Sequence, residues 1–245
     1  MTDVAHLRTV IAGLLGFAAA EEEMLLTAGS RDGFPDFPDG PSRWGAVASL
    51  AHVTEFKAQQ CERIRAVRSG HVPAVFAEID HASPAVYAVY ASRSADDVVR
   101  DSRMTTGELI DGARALADED LLDPSRHPWL HGRTLWLQIV VRGFWHPTGH
   151  IADYYLGHGQ PDRAVALQSH ALATARYLGA PEQAAGMAAY GLACAQAAVG
   201  LGDAAVHTLV CAIGLNPDLR VNADRDPDLA SLRDSGRLAE ILRWA

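Results

Sequence analysis

Apolar side chains return every three or four residues along most of this chain, and the two-residue alternation expected of strands is nearly absent. Val4, Leu7, Ile11, Leu14, Leu15 and Ala18 share one face of a helix predicted from about Thr2 to Ala28 and stopped by Gly29-Ser30. A turn-rich segment, Arg31 to Ser42, holds three prolines and two glycines. Ser42 is the expected N-cap of a second helix with Trp44 to Arg68 as its body and Ser69-Gly70 as its stop. His71 to Arg93, interrupted by Pro73 and Pro84, reads as short helical pieces. Ser94, followed by Asp96 and Asp97, caps a third helix reaching about Ala117. A loop with Pro124 and Pro128 leads to a fourth helix, from about Arg133 to Leu156. The pattern predicts an all-α chain, with four long helices forming an antiparallel bundle over residues 1–157.

Residues 158–245 read as helical hairpins packed on the bundle. Gly200, Ala205, Leu209, Ala212 and Pro217, with Leu192 in the preceding helix, have the spacing of a tetratricopeptide (TPR) repeat. Tyr155, Gly159, Ala164 and Ala171 match again at an offset of 41 residues, with Gln168 in place of the large apolar residue. The small residues allow close helix–helix approach. So short an array needs a support, which the fourth bundle helix is expected to supply as the array's first element.

Charge narrows the partners. A net charge of −9, with no local basic run, argues against nucleic acid, whose phosphates demand a surplus of Lys and Arg. No stretch approaches the ~20 apolar residues of a membrane span. Val10 to Ala20 is apolar enough to imitate a secretory leader, but Asp3 precedes it and Arg8 is the sole basic side chain there. Cys61, Cys194 and Cys211 are odd in number and lie in apolar, helix-patterned segments, which favours a reducing, cytoplasmic setting over a disulfide scaffold.

The segment Trp145-His146-Pro147-Thr148-Gly149-His150 carries the strongest chemical pattern. Residues four apart share a helix face, so His146 and His150 can offer two imidazoles to one metal ion. Eleven histidines make such a spacing common by chance, and His127 and His131 repeat it in a Pro/Gly-flanked loop. Pro147 conflicts with a regular helix, because its ring meets the carbonyl of residue 143. Either Gly143 absorbs a local distortion, or the helix restarts with His146 as cap and Pro147 at its first position. A third ligand has to come from another helix. His52, within Leu50-Ala51-His52-Val53, is in a context more apolar than a solvated histidine needs. Walker, Rossmann, HExxH and nucleophile-elbow motifs are absent.

Trp44 to Arg63 ("WGAVASLAHVTEFK"), Asp118 to Pro124 ("DEDLLDP") and Leu135 to Tyr155 ("LWLQIVVRGFWHPTGHIADYY") resemble the DinB-like superfamily of four-helix bundles. The likeness is to the branch that includes a cyclopropane hydrolase of colibactin self-resistance, and it covers roughly residues 1–157. Many members bind a divalent metal through one histidine on the second helix and two on the fourth. Carried across, these are His52, His146 and His150, with zinc, nickel or manganese as the ion. Glu55, one turn from His52, together with Asp80 and Tyr87, are the catalytic candidates. Related bundles use low-molecular-weight thiols as cosubstrates, and some dimerise. The resemblance therefore implies a metal-dependent hydrolase or thiol transferase acting on a small electrophilic molecule, in detoxification or self-resistance, with a homodimer allowed. Two alternatives stand beside it: a TPR-type protein-binding or scaffolding module with an inactive bundle, and a metal-free hydrolase or cyclase using pocket carboxylates.

Overall fold

The computed structural model describes residues 3–29, 44–74 and 92–244. Every regular element among them is helical, and none of these helices is long and apolar enough to cross a membrane. The chain divides into two compact units, Met1–Gly157 and His158–Ala245.

In the first unit, α1 (Val4–Gly29), α2 (Ala46–Arg68), α3 (Ala95–Ala115) and α5 are the long helices, with a short α4 (Asp118–Leu122) leading into α5. Helix α5 is continuous but irregular: Leu135–Val140 is α-helical, Val141–Trp145 forms a π turn, and His146–Gly157 is α-helical again. Helix α1 packs on α2, α3 and α5, and α2 packs on α3 and α5. Of the apolar face expected of α1, Leu7, Ile11, Leu14, Leu15 and Ala18 are buried and Val4 is half-buried. Ser94 caps α3 by accepting a bond from the Asp97 N–H at 3.1 Å.

The start of α2 differs from the expected one. Its N-cap is Gly45, without a side-chain cap, and Ser42 lies outside the described residues. Trp44 stands just before the helix and is fully buried.

Among the described residues, the core holds a fully buried charged pair. The Lys57 ammonium on α2 donates to both Glu22 carboxylate oxygens on α1, at 2.9 and 2.8 Å. It also donates to the hydroxyls of Ser102 (2.9 Å) and Thr106 (3.0 Å) on α3. The Ser102 hydroxyl donates in turn to Glu22, so the cluster ties three helices together. Cys61, also on α2, has its thiol pushed up to about 12 by burial and then by Glu108, which keeps it a protonated core side chain.

In the second unit, α7 (Glu182–Ala198) packs on both α6 (Pro161–Tyr177) and α8 (Gly202–Leu215). This explains its run of Ala and Gly. A Cβ on Gly186 would stand 2.8 Å from the Asn216 Cβ, and one on Gly191 2.5 Å from the Gln168 side-chain oxygen. The bulk of Gln168 is thus matched by a glycine opposite it. Gly159 and Gly200 take the positive φ of left-handed turns, +68° and +81°. Ala164, Ala171, Ala205, Leu209 and Ala212 are fully buried. The shorter α9 (Leu219–Ala223), α10 (Ala230–Asp234) and α11 (Arg237–Trp244) complete the unit.

Candidate functional site

The π turn resolves the conflict posed by Pro147. The His146 N–H donates to the Val141 carbonyl five residues back, which widens the turn before the proline. Thr148 then directs its hydroxyl at the Phe144 and Trp145 carbonyls, both at 3.0 Å. Gly143 lies within the widened turn, as the first of the two sequence readings required. Its other role is spatial, since a Cβ there would stand 2.7 Å from Leu15 Cγ on α1. The helix does not restart at His146; it runs through.

His146 and His150 meet His52 of α2. The Nε2 atom of His146 is 3.3 Å from that of His52 and 3.1 Å from that of His150. His52 is fully buried, His150 nearly so, and His146 is half-buried. Three imidazole nitrogens at this separation fit a cation well. A tetrahedral ion bound at about 2.0–2.1 Å to each nitrogen requires ligand nitrogens roughly 3.3 Å apart. Without a cation, His146 Nε2, which has either one proton or one lone pair, faces two ring nitrogens at hydrogen-bond distance at once. The group can hold a metal ion.

Aromatic rings wall the cluster. Trp44 lies parallel to His150, with centroids 6.2 Å apart, and edge-on to His52 at 5.2 Å. Phe56, one turn beyond His52, packs against His52 at 4.8 Å and His146 at 4.7 Å. The Arg142 guanidinium covers Phe56 at 4.5 Å from the ring centroid. Asp153 brings a carboxylate oxygen to 3.6 Å from His150 Nδ1, where its charge favours a ring whose other nitrogen faces the cluster. Phe56 and Asp153 were not singled out in the sequence, although each lies three or four residues from a candidate ligand.

The carboxylate candidates stand differently. Glu55 is exposed, accepts a bond from the Gln59 amide at 3.4 Å and lines a cavity of about 210 Å³ with Arg93, Asp101 and Glu108. It therefore points towards α3 and does not join the three histidines. Asp80 and Tyr87 lie outside the described residues. His127 and His131 do not pair: His127 is buried with Nε2 2.9 Å from the Asp120 carbonyl, and His131 adopts φ +52° in a turn.

A second gathering of ligand atoms, Cys194, Asp226 and Asp228, occurs in the C-terminal unit. Here the geometry accounts for itself. One Asp226 oxygen accepts the Asp228 N–H at 3.0 Å and caps the turn Pro227–Leu229, while the other accepts the buried Tyr190 hydroxyl at 2.7 Å. Asp228 is exposed at the surface, but loss of solvent around its carboxyl, and then the neighbouring Asp226, push that group up to about 6. A carboxyl whose pKa is raised on folding is held better as the acid, so its ionisation opposes the fold. Stability is expected to fall as pH rises from about 4 to about 6. Asp228→Asn should remove that part of the slope, as read from thermal midpoints across the range. An unchanged profile in the variant would show that Asp228 is not its source.

No protein-family model, no curated protein and no solved structure matches this chain.

Proposed function

We propose that this protein is a DinB-like, metal-dependent enzyme that acts on a small electrophilic molecule by thiol transfer or hydrolytic ring opening, in detoxification or self-resistance. The observation that carries the reading is the convergence of the His52, His146 and His150 Nε2 atoms from two helices, at separations of 3.3 and 3.1 Å. The three imidazoles would hold a divalent ion such as zinc, nickel or manganese. Such an ion supplies Lewis acidity, which makes a thiol or water nucleophilic at neutral pH.

The remaining work falls to the chain's own residues. Asp153 orients His150, and the ring of Trp44 fixes it from the other side. Trp44 and Phe56 exclude water from the closed sides of the cluster, which strengthens every electrostatic interaction within it. The half-buried His146 marks the side on which a small substrate enters. Cys61, Cys194 and Cys211 form no disulfide, and Cys61 and Cys194 are buried, in keeping with a reducing cytoplasmic setting and a thiol supplied by a cosubstrate.

Elemental analysis of protein purified without a histidine tag tests the metal. About one equivalent is expected in the wild type and none in the His146→Ala/His150→Ala double variant. A metal-free wild type that also fails to take up added divalent ions would sink the reading. With the metal established, conjugation of low-molecular-weight thiols to electrophiles and hydrolysis of strained rings are the activities to assay. Either should disappear on chelation and return on metal addition.

A further inference from the structure

Ser49 stands on α2 one turn before His52, and its hydroxyl is buried without a hydrogen-bond partner. Thr54 on α2 and Thr148 on α5, also buried, behave differently. Each donates its hydroxyl to the carbonyl four residues back, at 2.7 and 3.0 Å. The corresponding carbonyl for Ser49 is that of Gly45, which accepts the Ser49 N–H at 3.0 Å but not its hydroxyl. The Ser49 side chain is therefore turned off its own backbone. Buried polar groups in folded proteins are nearly always hydrogen-bonded, so an unbonded hydroxyl here calls for a partner.

The direction of the His52 side chain supplies one. Cα–Cβ bonds in a helix tilt toward its N-terminus, so the His52 ring leans over the turn that holds Ser49. Residues at this spacing have Cβ atoms about 5–6 Å apart. His52 directs Nε2 at the cluster, 3.3 Å from that of His146. Its Nδ1 atom is the ring nitrogen closer to the backbone, and hence to the preceding turn. We infer that Ser49 is a positioning residue of the three-histidine centre, its hydroxyl oxygen accepting the His52 Nδ1–H directly or through one buried water. The inference rests on the metal-dependent reading of the same site. A neutral imidazole that ligates through Nε2 carries its proton on Nδ1, and a hydroxyl oxygen accepts that proton. Partners of this kind fix the tautomer and ring direction of metal-binding histidines. Asp153 serves His150 with a charge, whereas Ser49 serves His52 without one, in a part of the core where a carboxylate would be costly to bury.

Cobalt binding to the full chain tests this. Wild type, Ser49→Ala and Ser49→Thr are stripped of metal, and thermal midpoints check that both variants are folded. Cobalt affinity is then measured by competition with a chromophoric chelator, and the visible cobalt bands are recorded at saturation. Ser49→Ala is expected to bind cobalt about 10–100-fold more weakly, the usual cost of losing such a partner, and to shift those bands. Ser49→Thr keeps the hydroxyl and should stay close to the wild type in both readouts. Equal cobalt affinity in wild type and Ser49→Ala overturns the inference, and so does an equal loss in the two variants. A wild type that takes up no cobalt overturns the metal reading instead. The inference is then decided by the imidazole nitrogen resonances of His52 in the stripped protein. Nδ1–H in the wild type with a tautomer mixture in Ser49→Ala supports it, and identical resonances overturn it.

Discussion

Lys57→Ala is expected to lower the free energy of unfolding by about 3–5 kcal/mol, the range for breaking a buried ion pair by removing one partner. Lys57 and Glu22 are both essentially inaccessible to water, and the ammonium has four oxygen partners within 3.0 Å. Without Lys57, the Glu22 carboxylate keeps the Ser102 hydroxyl but loses its counter-ion inside the core. The double variant Lys57→Met/Glu22→Leu removes both charges and should be much less destabilised than Lys57→Ala alone, because no desolvated charge is left behind. Urea titrations of the wild type and both variants measure this. A loss below about 1 kcal/mol for Lys57→Ala would mean that the pair behaves like one on the surface.

Gly143→Val should also be strongly destabilising, by about 3 kcal/mol, at the upper end of the overpacking range. The first atom added there already falls 2.7 Å from Leu15 Cγ, with the two Leu15 methyl carbons at 3.0 and 3.1 Å. Leu15 is fully buried and has little room to retreat. Gly149, six residues on in the same helix, is the control, since nothing would lie within 4 Å of its added Cβ. Gly149→Ala is expected to stabilise by roughly 0.5–1 kcal/mol through helix propensity alone. Denaturation midpoints of the two variants should thus move in opposite directions. If Gly143→Val were as benign as Gly149→Ala, the close approach of α1 to the π turn would be wrong.

Much of the helical order was legible because it is written in local chemistry. The apolar face of α1, the Ser94 cap and the left-handed glycines at 159 and 200 each follow from a few adjacent residues. So does the shared face of His146 and His150. What escaped was decided across helices. Glu22 lies seven residues beyond Leu15 and three before Leu25, both core positions, so its register alone pointed inward. Lys57 sits in the same way between Val53 and Ile64. Opposite charges at core register on two helices were the available signal, but pairing them required knowing which helices touch. Glu55 is a related case: three residues from His52 makes it a neighbour along α2, but does not decide which of the adjoining helices its side chain turns to. The turn is then settled by α3, whose Asp101 and Glu108 line the same cavity. Trp44 reads as the start of a helical body in sequence, and its stacking on His150 could not be read from its neighbours.

The π turn at Val141–Trp145 amounts to a single residue inserted into an otherwise regular α-helix. One residue shifts the angular phase of everything after it by about 100°. The buried stripe of Leu135–Val140 and the histidine stripe of His146–Gly157 are thus set against each other by the length of the chain between them, not by the histidines themselves. Shortening that turn by one residue would leave His146 and His150 four apart and still aligned, yet swing both away from His52. Whether this protein has a three-histidine centre is in that sense a matter of counting along the backbone.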